Sequence, residues 1–396
     1  MKREVLQILF LSGEYPPMQG GIADYTARLA QHLRPLSVES AVLTGHKYPP
    51  GDGRPARVDG VPVFPVLPGW GRRCWLEIAR FVDAHAPNVL HIQYQAAAFD
   101  LKGWVNLLPW YLRRRRRRPG VVVTFHDLRI PYLFPKAGRL RRQAVLALAR
   151  YSDAVICTNA EDAAALRRFP WGARVAQIPL GNNVPVAPPD GYNRRAWRAR
   201  LGLNDDSLAL AYFGFLNESK GGEDLIAVLD ALVRRGVDAH LLMIGGDVGD
   251  SDPTNAAYAA RVRRQIAARN LAPRIHFTGY VELPEVSAYL LAADAAVMPY
   301  RDGVSFRRTT LIAVLRHGLP VISTTPSIPL PQIVNGETML LAPPGDVDAL
   351  AGAVLRVAND SALRQSLSAG AERLGMRFDW GTIAAQTAQL YRTLAT

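Results

Sequence analysis

The chain has 396 residues, 49% hydrophobic and 20% charged, which suits two or three soluble domains with sizeable cores. A net charge of +13 and an isoelectric point of about 10.0 point to anionic partners: a nucleotide, an acidic lipid surface or nucleic acid. Two cysteines, Cys74 and Cys157, exclude a disulfide framework, and no stretch is long and apolar enough to span a bilayer.

In chain order, short apolar runs alternate with helical patterns. Strand-like runs fall at Val5–Leu11, Ser40–Leu43, Val61–Val66, Val89–Ile92, Val121–Phe125, Ala154–Cys157 and Val175–Ile178. Helical spacing falls near Ile22–Leu33, Trp75–His85, Arg139–Arg150 and Glu161–Arg168. Val5–Leu11 reads as a first strand, not as a signal peptide, because no small-residue cleavage site follows it. The Leu180–Arg195 stretch is rich in Gly, Pro and Asn and reads as a linker. Strands then recur at Leu208–Phe213, His240–Ile244, Ile275–Thr278, Ala295–Met298, Val321–Ser323 and Met339–Leu341. Helices fit Asp224–Arg235, Asn255–Asn270, Glu285–Ala292, Thr310–His317 and Asp346–Val357. Alternation of this kind implies βαβ units and parallel sheets, here two Rossmann-like halves joined near residue 185.

Several loops carry chemistry. Gly20 and Gly21 precede a helix start, where freed backbone can wrap a phosphate; an ordinary turn fits them equally. His126 and Asp127 end a strand in Thr124–Leu128, where a histidine can exchange a proton with a reacting oxygen, or Asp127 can cap a turn. His91 also ends a strand. Lys220 stands before Gly221 and Gly222 at another helix start, a point charge suited to phosphate. The loop Tyr300–Thr309 leads from a strand into a helix, and Gly303, Arg307 and Arg308 suit a diphosphate there; a solvated basic turn is the competing reading. Asp250-Ser251-Asp252 has the spacing of a carboxylate pair for a divalent ion, but its setting favours a turn. Trp104–Arg118 runs from apolar and aromatic residues into six arginines, which suits a helix on an anionic membrane or a solvated helix end. No nucleic-acid motif accompanies the charge.

Taken together, these segments resemble a GT-B-fold glycosyltransferase, close to the large retaining family 4. The likeness rests on Gly20–Gly21, Phe125–Asp127, IPLGNNV at 178–184, FGFLNESKGGEDL at 213–225, HFTGYVELPEVSAYLLAADAAVMPY at 276–300, RHGLPVIST at 316–324 and ERLGMRFDW at 372–380. It implies an α/β architecture of two Rossmann-like domains facing across a cleft: residues 1–184 on the acceptor side and 185–378 on the donor side. Residues 379–396 would form a C-terminal helix packing back on the first domain. It implies sugar transfer, hexosyltransferase-like and retaining, from a nucleotide-diphosphate sugar to a glycan or lipid-linked glycan. No resident cofactor or metal and no nucleic acid is expected. The expected location is cytoplasmic, peripheral on the inner membrane face through Trp104–Arg118.

By the same likeness, Gly20, Gly21, Lys220, Arg307, Arg308 and the Gly303–Val304–Ser305 backbone would hold the diphosphate. Gly279 to Val281 would meet the base, and His126 would sit by the sugar. Two departures stand out. The family's paired glutamates should fall at 305 and 313, where this chain has Ser305 and Ala313, and its usual phosphate arginine is Phe215. Asp302 and Glu218 are the nearest substitute carboxylates, with Asp302 in the catalytic position. A non-catalytic nucleotide-sugar-binding relative and a GT-B sugar-nucleotide epimerase remain as alternatives.

Overall fold

A computed structural model of the chain describes residues 5–18, 20–49, 53–126, 128, 138–245 and 253–395. They fall into two units: Met1–Gly181 with Trp380–Thr396, and Asn182–Asp379.

Among the described residues the first unit holds an eight-stranded sheet. Its strands are β1 (Leu6–Leu11), β2 (Val38–Gly45), β3 (Ala56–Val58), β4 (Val61–Leu67), β5 (Val89–Tyr94), β6 (Gly120–Phe125), β7 (Ala154–Cys157) and β8 (Val175–Gln177). They lie in the order β3-β4-β2-β1-β5-β6-β7-β8, all parallel except the β3–β4 hairpin. Every residue of β5 is buried, as a strand covered on both faces requires. The helices are α1 (Gly21–Leu33), α2 (Cys74–His85), α3 (Leu108–Leu112), α4 (Gly138–Tyr151) and α5 (Ala160–Arg167). The order reverses between β1 and β5, since the chain fills one side from β2 and the other from β5. In an open α/β sheet, ligands bind outside the carboxyl ends of the strands at that point.

The second unit opens with α6 (Arg194–Arg200), which begins at the end of the stretch expected as linker and is capped by the Asn193 side chain on the Ala196 N–H. Among the described residues its sheet has six parallel strands: β9 (Leu208–Phe213), β10 (Ala239–Ile244), β11 (Ile275–Phe277), β12 (Ala295–Met298), β13 (Val321–Thr324) and β14 (Leu340–Ala342). The order β11-β10-β9-β12-β13-β14 places the reversal between β9 and β12. Around the sheet lie α7 (Gly222–Arg234), α8 (Pro253–Ala268), α9 (Leu283–Ala292), α10 (Thr309–Arg316), α11 (Val347–Asn359) and α12 (Ser361–Gly375). A capping box between Glu282 and Glu285 starts α9. The chain ends with α13 (Trp380–Arg392), whose Trp380 ring lies 5.3 Å from the Tyr25 ring of α1.

The Trp104–Arg118 stretch corrects its expectation. No amphipathic helix runs through it: α3 has five residues and the arginines follow it mostly in turns. Val105, Leu108 and Leu112 are fully buried in the first unit's core. The Trp104 ring packs edge-on to Trp75 at 5.7 Å. Arg113 and Arg118 pair with Asp153, and Arg115 with Asp83. No helix among the described residues is long and apolar enough to cross a membrane.

Candidate functional site

The second unit's site is built from the loops after β9 and β12. Gly221 joins them. Its φ is +70°, and a Cβ there would run into the Pro299 carbonyl oxygen, so only glycine lets the start of α7 approach the end of β12. Arg301 fastens the two loops with a fork: Nε and an Nη donate to the two Asp224 oxygens at 2.9 and 3.0 Å. Asp224 sits in the first turn of α7, where a carboxylate also favours the helix dipole.

Two cations converge there. The Lys220 backbone N–H donates to the Asn217 side chain, which fixes its turn. The Lys220 Nζ lies against Gly214 beside Thr310: a Cβ on Gly214 would sit 3.2 Å from the Nζ and 3.3 Å from the Thr310 Cγ2. Thr310 is in the first turn of α10, so the ammonium stands at a helix N-terminus. Among the described residues the Lys220 Nζ makes no ion pair. Burial, and then the Arg308 charge, lower its pKa to about 8. The Arg308 side chain is 13% exposed, with its guanidinium 3.9 Å over the Tyr300 ring. It pairs with Asp302 and donates to the Gly303 carbonyl at 3.3 Å. A like charge beside a desolvated ammonium is unfavourable, and an anion of high charge between them offsets it.

The loop backbone behaves differently from the expectation. The Gly303 N–H donates to the Tyr300 carbonyl and the Val304 N–H to the Thr324 carbonyl, both at 3.3 Å. These two donors are therefore spent inside the loop, and Val304 is buried. Gly303 has φ +83°, and a Cβ would lie 2.6 Å from the Thr325 carbonyl oxygen. Its role is to fold the loop. Ser305 is half-buried and accepts the Arg307 N–H at 3.4 Å. Glu218 is 71% exposed, 3.9 Å from Arg301. Gly279 has φ +63° and bridges to Gly245 past the end of β10; half-buried Val281 follows a Tyr280 that is 81% exposed.

The first unit presents its own switch point. Gly20 caps α1 in an extended conformation, and the Glu14 carboxyl lies against it, where a Cβ would clash. So an acidic side chain of this chain sits where a phosphate was expected. Burial raises the Glu14 pKa, which favours its neutral form. Around Gly21, by contrast, a Cβ would meet nothing.

His126 follows β6. Its Nε2 donates to the Gln93 Oε1 at 2.9 Å, which leaves Nδ1 as the acceptor. The ring meets Tyr25 edge-on at 4.8 Å. Burial lowers its pKa to about 4, so it is a neutral imidazole near pH 7. Gln93 also approaches the His91 Nε2 at 3.4 Å. His91 is fully buried between the Tyr391 hydroxyl at 2.6 Å and the Thr124 hydroxyl at 2.7 Å, which makes it a core histidine tying α13 to the sheet.

Family comparison agrees with this architecture. Residues 20–181 match the model described as Glycosyl transferase 4-like domain, and residues 207–360 match Glycosyl transferases group 1. The chain belongs to the group 1 glycosyltransferase family. A phosphatidyl-myo-inositol mannosyltransferase of Mycolicibacterium smegmatis is 28% identical over 57% of this chain and 53% of its own length. A glycogen synthase of Mycobacterium tuberculosis is 31% identical over 64% and 58%. The chain thus spans little more than half the length of the curated relatives it matches. Among solved structures, a sucrose-phosphate synthase from Thermosynechococcus elongatus is similar with TM-score 0.72 at 24% identity, covering 98% of this chain and 99% of that one. Anabaena HepE in complex with UDP is similar with TM-score 0.74 at 18% identity, covering 98% and 100%. These likenesses establish the GT-B fold.

Within this chain, the unusual positions are now placed. Ala313 is fully buried in α10. Phe215 is 49% exposed, its ring 6.0 Å from the Lys220 ammonium. Asp302 is held by Arg308. Asp127 and the Asp250–Asp252 pair lie outside the described residues. Among those described, no group of three or more His, Cys, Asp or Glu side chains could hold a metal ion. Sequence reasoning missed Glu14, Gln93 and the Arg301–Asp224 fork. Only the fork had a local signal, an acid in a helix first turn.

Proposed function

We propose that this protein transfers a sugar, with retention, from a nucleotide-diphosphate sugar to a glycan or lipid-linked glycan. The observation that carries the reading is the pairing of Lys220 with Arg308 at the β9/β12 reversal, beside the start of α10. A diphosphate is the anion that two cations and a helix N-terminus suit together. Solved complexes of HepE with UDP and with UDP-glucose support a sugar nucleotide as donor. In this reading Lys220, Arg308 and Arg307 take up the negative charge that develops on the leaving diphosphate. Gly279 and Val281 flank the base, Ser305 and Glu218 border the donor, and Gly20 and Gly21 open the acceptor-side loop. His126 offers its Nδ1 lone pair to a sugar hydroxyl, and Asp302 orients Arg308. Arg116 and Arg117, exposed and without a carboxylate partner among the described residues, add an electrostatic contact with an anionic membrane, on its cytoplasmic face.

A second reading is a nucleotide-sugar-binding relative without transfer. Ser305, Ala313 and the ion-paired Asp302 favour it, because no free carboxylate stands in that loop. Donor hydrolysis and sugar transfer, measured separately over a panel of sugar nucleotides with and without EDTA, decide between the two. Transfer undiminished by EDTA is expected. Binding without either reaction supports the second reading. Loss of transfer in EDTA, restored by manganese or magnesium, contradicts the metal-free route.

A further inference from the structure

A groove of about 540 Å³ in the first unit is walled by Leu107, Trp110, Leu146, Ala147, Phe169 and Trp171. Its volume lies in the range of small-molecule sites. All six side chains are half-buried, so they line a face still open to solvent. Phe169 and Trp171 stack in parallel at 5.0 Å and give one wall a flat aromatic face.

The charge around the groove is one-sided. Arg150 lines it, and the Arg114 guanidinium lies 3.4 Å over the Trp110 ring. Among the described residues neither has a carboxylate partner, and neither do the exposed Arg116 and Arg117. Their neighbours Arg113 and Arg118 share Asp153, and Arg115 pairs with Asp83. Arg150 and Arg114 thus sit beside the apolar walls. A neutral glycan would gain from the aromatic faces but not from the guanidinium groups. A hydrocarbon chain ending in a phosphate uses both.

We propose that this groove binds the hydrocarbon chain of an anionic amphiphile, with its phosphate against Arg150 and Arg114. The surface contact proposed above needs only charge, whereas this site needs a chain as well. Its walls come from the segments that lead into β6, β7 and β8, at the opposite strand ends from the switch-point site, so it goes beyond that reading and rests on none of the donor geometry.

The test is a calorimetric titration of the full chain with dodecyl phosphate below its critical micelle concentration. Inorganic phosphate and dodecyl maltoside serve as the headgroup and chain controls. Saturable one-to-one binding is expected, at least tenfold tighter than either control. Ala147→Phe fills the groove and should weaken it at least tenfold, and Arg150→Gln at least fivefold. Both variants should bind nucleoside diphosphates as the parent does, which separates failure here from failure of the donor reading. Should Ala147→Phe not fold, the indole N–H resonances of Trp110 and Trp171 in the parent must both shift on saturation. The proposal is overturned by any of four results: no saturable binding, equal affinity for dodecyl maltoside, unaltered binding in folded Ala147→Phe, or indole resonances that stay still. Displacement of the amphiphile by a neutral oligosaccharide, or by self-association of the chain, also overturns it.

Discussion

Lys220 keeps its proton less firmly than a lysine in water, because burial and Arg308 both disfavour the charged form. Its folded pKa of about 8 lies below the unfolded value. Between the two, the unfolded chain binds more protons, so the second unit gains stability as pH rises across that window. Diphosphate binding has the opposite sign, since it selects the ammonium. Nucleoside diphosphate affinity should therefore fall as the pH is raised through 8, with proton uptake on binding near that pH. Calorimetry in buffers of different ionisation enthalpy reads the uptake, and a flat profile would remove Lys220 from the site. Gln93 makes a second residue-scale prediction. Gln93→Glu places a carboxylate on the His126 Nε2–H and should raise the imidazole pKa from about 4 by about 1–3 units, seen by histidine NMR. No movement would mean that Gln93 does not hold that ring. Lys220 could be singled out in the sequence because a cation next to a glycine at a helix start has a local signature, and Arg308 because a basic residue directly before a helix has one too. Gln93 was not. In an apolar strand its amide looks like a surface residue, and only the pairing of Gln93 with Thr124 across β5 and β6 brings it to His126.

Loops and helices obey the same division between local and distant causes. The strands were legible because buried parallel strands are short apolar runs, and β9 was read at its observed ends, Leu208–Phe213. The hairpin strand β3 is three residues long and lacks a core pattern of its own. The helix α12 was missed because its apolar residues are sparse; it is held instead by packing that buries Leu367, Ala371 and Leu374. The arginine segment misled for the reverse reason. Apolar residues before a basic run look like a membrane face, yet Leu108 and Leu112 fill the core. In the loop after β12, Gly303 is the position on which the element depends. Gly303→Ala adds a Cβ at positive φ against the Thr325 carbonyl oxygen, and should destabilise the second unit by about 1–3 kcal/mol. Thermal unfolding measures this, and an unchanged midpoint would show that the loop tolerates a different path.

On the scale of the whole chain, each unit has one reversal of strand order, with Gly20 and Gly21 after β1 at one and Lys220 and Arg308 at the other, while His126 follows β6 and Gly279 follows β11. The two Rossmann-like halves were legible from the alternation of runs, whereas the return of the C-terminal helix to the first unit was expected only from the family likeness, because it depends on Tyr391 meeting His91 far along the chain. Both buried histidines of the first unit, His91 and His126, are held neutral, with pKa values lowered to about 3 and 4. Their unfolded values are higher, so the unfolded chain takes up protons first as the pH falls below about 6.5. The first unit should lose stability from there down to about pH 3, with roughly half of the loss removed in a folded His91→Gln variant, where His126 alone remains. The central claim is that a diphosphate is held by Lys220 at the start of α10. Its most direct test is calorimetric titration of the parent and Lys220→Ala with UDP, GDP and ADP. At least one nucleotide should bind the parent, and Lys220→Ala should weaken that binding by about 1.5–3 kcal/mol, roughly ten- to a hundredfold. Equal affinity in a folded Lys220→Ala variant would contradict the account.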